Sequence, residues 1–89
     1  MSKKMLFIYN PMAGKEQIKN KLSEIIQIFC KEGFEVTIFA TRGREDATKI
    51  IEEKGERYDY IVCSGGDGTM NEVATGIMKL EKRPICGYI

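Results

Sequence analysis

There is no histidine anywhere in this chain of 89 residues. The side chain most often used to move protons near neutral pH is therefore unavailable, and any general base must be a carboxylate or lie outside the chain. Cysteine is scarce. Cys30, Cys63 and Cys86 are an odd number at wide spacing with no C-x-x-C pair, which argues against a disulfide framework and against a zinc cluster. They read as small buried apolar residues. Neither sign of charge dominates: 14 Lys and Arg against 13 Asp and Glu leave a net charge of +1, which gives no electrostatic basis for a nucleic-acid partner or for binding an acidic membrane. Long apolar runs are lacking too. No stretch approaches the roughly 20 residues of a transmembrane helix, and the run after Met-Ser-Lys-Lys is too short for a secretory signal. The expectation is a cytoplasmic chain with at most one small domain, whose partner must be argued from a site.

What is present alternates between two patterns. Met5-Leu-Phe-Ile-Tyr9 is a continuous apolar run closed by Asn10-Pro11 and reads as a strand buried on both faces. From Glu16 to Glu32, Ile18, Leu22, Ile25, Ile26 and Phe29 recur at helical spacing, and Gly33 supplies the stop. Glu35 to Ala40 alternates as a second strand, and Ala47, Ile50 and Ile51 mark a shorter helix ending at Gly55. Tyr60-Ile-Val-Cys63 is a third strand. Met70, Val73, Ala74, Ile77 and Met78 form an apolar stripe on a third helix, and Pro84 to Ile89 begins a fourth apolar segment. This order predicts an α/β fold in three layers, a parallel sheet of about four strands with helices on its faces. Ligands of such sheets sit beyond the carboxyl ends of the strands. Three loops occupy that position: Asn10 to Lys15, Thr41-Arg42-Gly43, and Ser64 to Thr69. A buried parallel strand normally runs on into a covering helix, so the apolar run at Ile89 predicts that the chain is the N-terminal part of a larger domain.

The third loop carries the chemistry. Ser64-Gly-Gly-Asp-Gly-Thr69 places three glycines around one carboxylate between a strand and a helix. Without side chains, Gly65, Gly66 and Gly68 can adopt positive φ and let backbone N–H groups face an anion, while the helix start adds unpaired N–H groups and the positive end of its dipole. A plain strand-to-helix turn is the simpler account of the glycines, and a capping box the simpler account of Thr69 and Glu72. Asp67 fits a simple turn less well. Among phosphate-facing amides a carboxylate repels the ligand unless a divalent cation intervenes or the carboxylate takes a proton from the acceptor, and both arrangements belong to phosphoryl transfer. The loop is neither a P-loop nor a G-x-G-x-x-G fingerprint. Residue chemistry thus reaches a phosphate-binding α/β half-domain.

Gly65-Gly-Asp-Gly-Thr-Met-Asn-Glu-Val73, together with Asn10-Pro-Met-Ala-Gly14, resembles the catalytic domain of the diacylglycerol kinase family, which includes sphingosine, ceramide and bacterial lipid kinases. The resemblance spans essentially the whole chain. Its G-G-D-G-T core is shared with the NAD kinases, while the N-E-V continuation and N-P-x-A-G are similar to the lipid kinases specifically. It implies a Rossmann-like, NAD kinase-like N-terminal domain with ATP and Mg2+ as cofactors. Asn10, Ala13, Gly14 and Lys15 match the first nucleotide-binding segment, and Thr41 a nucleotide contact after the second strand. Gly65, Gly66, Gly68 and Thr69 match the phosphate-binding signature, Glu72 a helix residue lining the nucleotide pocket with Asn71 carried over beside it, and Asp67 an aspartate of catalysis or metal binding. For Asn10 a turn role beside Pro11 stays open, as does a solvated helix start for Lys15.

By the same resemblance, a β-rich second domain, absent here, supplies the lipid site, further metal ligands and peripheral contact with the inner membrane face. The expectation is an intact lipid kinase acting on a hydroxyl such as that of diacylglycerol, an isolated 89-residue chain without activity, and self-association through uncovered apolar surface. An NAD kinase-type domain and a non-catalytic flavodoxin-like module are the alternatives.

Overall fold

Four consecutive residues, Met5, Leu6, Phe7 and Ile8, are almost wholly buried, and that burial fixes the architecture. Successive side chains of a strand point to opposite faces, so an apolar run with no polar alternation requires cover on both sides. The computed structural model describes residues 3–12 and 17–89, with the side chains of α1 described from Lys21 onward. In it the run becomes β1 (Lys3–Tyr9), an inner strand of a four-stranded sheet ordered β2-β1-β3-β4, where β2 is Phe34–Ala40, β3 Tyr60–Ser64 and β4 Ile85–Tyr88. Every pairing is parallel.

The helices divide between the two faces. α1 (Gln17–Lys31) lays Leu22, Ile25 and Phe29 over Met5, Phe7 and Val62. Phe29, Phe34 and Tyr60 continue this layer across three elements as edge-to-face aromatic contacts, with ring centroids 5.8 and 5.0 Å apart. Gly33, at φ 90°, ends the helix and returns the chain into β2. The opposite face is covered by α2 (Asp46–Lys54) and α3 (Asp67–Met78), whose Ala47, Ile51 and Val73 meet Leu6, Ile8, Ile61 and Cys63. The expected element order and the parallel three-layer fold are observed. α2 ends where expected, passing at Gly55 into a 3-10 turn.

Two expectations are corrected. Of the three cysteines read as buried, Cys63 is, whereas Cys30 and Cys86 are exposed. The stripe Met70, Ala74, Met78 faces solvent, and the buried side of α3 is Thr69, Val73 and Gly76, with Ile77 partly covered. The reason is the neighbour: a Cβ on Gly76 would lie 2.9 Å from Ile51 Cβ and 3.2 Å from the Thr48 carbonyl oxygen, so α2 fits against the helix on the side where it has no side chain.

The topology locates a site before any side chain is considered. From β1 the chain moves outward to β2, then crosses back over β1 to β3, so connections leave β1 and β3 in opposite directions. The carboxyl ends of these two strands form the switch point at which open α/β sheets bind ligands.

Candidate functional site

The loops at this rim are laced to one another by the backbone. Asn10 N–H donates to the Ser64 carbonyl at 3.2 Å, joining the ends of β1 and β3. Thr41 N–H donates to the Tyr9 carbonyl at 2.9 Å, and the Thr41 hydroxyl donates to the same oxygen at 3.4 Å, joining β2 to β1. Among the described residues, the buried polar side chains are Thr41, Ser64 and Thr69, and all three stand here. Polar groups are costly to bury, so their collection at one end of the sheet marks it as distinct from the apolar remainder.

Between the loops lies a cleft of about 350 Å³. Asn10 and Met12 line it from the first loop, Thr41, Arg42, Gly43 and Arg44 from the second, and Gly68, Thr69 and Glu72 from α3. The structure thus gathers five of the residues singled out from sequence: Asn10, Thr41, Gly68, Thr69 and Glu72. Gly65, Gly66 and Asp67 sit beside it at the start of α3. Asn71 is exposed on α3 and does not line the cleft; its carbonyl accepts from the Thr75 hydroxyl. Ala13, Gly14 and Lys15 fall outside the described residues. A larger open depression, about 650 Å³ and bordered by Glu24, Gln27, Ile28, Cys30 and Lys31, lies along the outer surface of α1. One helix lines it and no loops converge there.

The glycine loop separates into two kinds of glycine. Gly65, at φ 157°, is demanded by the fold itself: a Cβ there would stand 2.7 Å from Thr69 Oγ1 and 2.9 Å from Thr69 Cβ. Among the described residues, Gly66 and Gly68 have nothing within 4 Å of where a Cβ would be. Nor do they use the positive φ expected of them. Gly66 has φ −86° and ψ −176°, and Gly68 lies in the first turn of α3. The packing of the described residues therefore gives no reason for glycine at either position, and at Gly68 it costs roughly 0.5–1 kcal/mol relative to alanine.

The helix start is equally open. α3 begins at Asp67, with Gly66 as its N-cap and no described side chain bonded to the first-turn N–H groups. The capping box between Thr69 and Glu72 does not form, because the helix is already under way before Thr69, which is buried against Gly65. Unpaired N–H groups and the dipole's positive end thus face the space left by Gly66 and Gly68. Asp67, exposed at the first helical position, also favours that dipole electrostatically, so its side chain has one structural role at minimum. Asn10 likewise has a turn role: its Oδ1 accepts from Met12 N–H at 2.9 Å.

Arg42 and Gly43, in the second of the three expected loops, line the cleft as well. Other contributors were not visible as such in sequence: Arg44 joins the lining, and Asp46 holds the loop, its Oδ2 accepting from Arg42 N–H at 2.7 Å and Gly43 N–H at 3.1 Å. The only local signal was a carboxylate just before the helix starting near Ala47. Tyr88 donates its hydroxyl to the Gly65 carbonyl at 2.6 Å, tying β4 to the glycine loop across 23 residues of sequence, for which no local signal exists.

A parallel α/β unit with a helix start at its switch point is the arrangement in which open α/β sheets place their ligand sites. Comparison with known proteins defines the family. The diacylglycerol kinase catalytic domain matches residues 4–89, and the chain belongs to that family. It is 41% identical to a diacylglycerol kinase of Bacillus subtilis, with 98% of this chain and 29% of that protein covered. With a diacylglycerol kinase of Staphylococcus carnosus the identity is 45%, with 100% and 29% covered. A solved diacylglycerol kinase from Bacillus anthracis superimposes with a TM-score of 0.87 at 34% identity, covering 98% of this chain and 32% of the other. The chain spans about 30% of the length of these relatives. Among the described residues, no helix is long and apolar enough to cross a membrane.

Proposed function

We propose that this chain is the nucleotide-binding portion of an ATP-dependent lipid kinase that transfers the γ-phosphoryl group of ATP to a lipid hydroxyl such as that of diacylglycerol. The observation that carries the reading is the open space at Gly66 and Gly68 above an uncapped helix start, where no described residue packs against either glycine and helix stability is forgone. Backbone N–H groups of residues 66 to 69 are the donors for the nucleotide phosphates. Asn10, Thr41 and Glu72 bound the cleft on the nucleoside side, and Ala13, Gly14 and Lys15 complete the first loop.

In the transfer, the lipid hydroxyl oxygen bonds to the γ-phosphorus as the bond to the β,γ-bridging oxygen breaks, and the hydroxyl proton passes to a base. Asp67 is the carboxylate nearest the phosphate seat in sequence and is assigned to that end of the reaction, as the base or as a ligand to magnesium. Among the described residues no three His, Cys, Asp or Glu side chains cluster as a metal site. Asp67 offers one carboxylate, so the nucleotide phosphates and ligands beyond this chain would complete the coordination. Lipid selection, the remaining ligands and contact with the membrane are assigned to a β-rich second domain of the intact protein.

Isothermal titration with ATP and ADP tests the reading. The wild-type chain should bind both, and Gly68→Ala should abolish detectable binding while the protein melts at the same temperature or higher. Unchanged affinity in Gly68→Ala would overturn it.

A further inference from the structure

Arg42 and Arg44 stand on one wall of the cleft, opposite Gly68 and Thr69 on α3. Both are exposed, and the ion pair formed among the described residues is Lys79 with Glu52, on a different part of the surface. Two arginines therefore line the cleft, with Glu72 of α3 as its lining carboxylate, and neither arginine forms an ion pair with a described residue. Asp46 is committed to the loop's own backbone, its Oδ2 accepting from the N–H groups of Arg42 and Gly43. Glu45 next to it holds the left-handed conformation, φ 67° and ψ 0°. A non-glycine residue there costs energy and persists only where its surroundings enforce it. The loop is thus folded into one particular turn that Asp46 braces and that brings both arginines to the cleft.

We propose that Arg42 and Arg44 form a cationic wall that selects the polyphosphate of the nucleotide, and that Asp46 is the positioning residue that holds this wall in place. This rests on the nucleotide reading and adds a division of labour: the glycine loop seats phosphate through backbone N–H groups, and the arginines discriminate by charge. The guanidinium fork matches phosphate geometry, and its contribution at an exposed site is screened by salt.

The test is titration of the chain with ATP and with adenosine at low and high salt, for wild type, Arg42→Gln, Arg44→Gln, Asp46→Ala and Asp46→Asn. Each arginine variant should bind ATP about fivefold more weakly at low salt, with the difference shrinking at high salt and adenosine affinity unchanged. Asp46→Ala separates positioning from simple charge. Removing a negative charge beside the cleft would by Coulomb's law strengthen ATP binding, whereas release of the turn weakens it; the proposal requires weakening, with adenosine unaffected. Asp46→Asn keeps an oxygen acceptor for the two N–H groups and should restore ATP binding. Arginine variants that bind ATP like wild type, or lose ATP and adenosine equally, overturn the proposal, as does tighter ATP binding by Asp46→Ala. A wild-type chain that binds ATP and adenosine equally overturns it while leaving the nucleotide reading intact. A wild-type chain that binds neither overturns both.

Discussion

At Gly68 the interests of the fold and of the site diverge, and the divergence is measurable. The fold would prefer alanine in the first turn of α3, since a Cβ there meets nothing within 4 Å and removes backbone freedom from the unfolded chain. Gly68→Ala should therefore raise stability by about 0.5–1 kcal/mol in urea denaturation, while Gly65→Ala, which forces a Cβ to 2.7 Å from Thr69 Oγ1, should lower it. Cys63 gives a residue-scale prediction in pH. Burial first, and then the neighbouring Cys86 on the adjacent strand, push the Cys63 thiol up from 9.0 to about 11. A thiol whose pKa is raised by folding contributes stability below its unfolded value that is lost as pH rises through the folded one. The chain should thus lose stability between about pH 9 and pH 11, a loss that Cys63→Ala should reduce. Equal pH slopes for the two proteins would refute the assignment.

The contact between α2 and α3 sets the width of the cleft, because one helix carries the arginine loop at its start and the other carries Gly68, Thr69 and Glu72. The Thr48 hydroxyl donates to the Glu72 carbonyl at 2.7 Å, and Gly76 lets the helix axes come close at Ile51. The Lys79–Glu52 pair spans the same two helices, but both side chains are well exposed and solvent screens it. Packing decides the geometry. Gly76→Ala must displace Ile51 or the α2 backbone and should cost about 1–3 kcal/mol by overpacking, read as a lower urea midpoint with unchanged m value. This contact also shows what sequence could and could not reveal. The elements and their order were legible from apolar periodicity, and the glycine loop from its composition. The rotation of α3 was not, because glycine and threonine do not register as apolar although Gly76 and Thr69 are buried. The same limit hid Asp46 and Tyr88, whose roles are hydrogen bonds to particular backbone groups and leave no periodic trace.

Across the whole molecule apolar exposure is uneven. Ile85, Tyr88 and Ile89 on or beside the edge strand β4 are exposed, as are Met70 and Met78 on α3, which leads into that strand. An edge strand with open N–H and C=O groups and apolar side chains is prone to pair with another copy. Sedimentation velocity of the 89-residue chain should show concentration-dependent association that Ile85→Lys reduces; a monomer at all concentrations would contradict this. The rim at the carboxyl ends of the strands is the opposite feature of the molecule, and backbone amide NMR shifts on titration with ATP test it most directly as a phosphate seat. If the rim is the phosphate seat, the largest shifts fall at Gly66, Asp67, Gly68 and Thr69, smaller ones at Thr41 to Arg44, and none at the other end of the sheet around Lys4, Asp59 and Tyr60. Shifts confined to that other end or to α1, or none at saturating nucleotide, would contradict it.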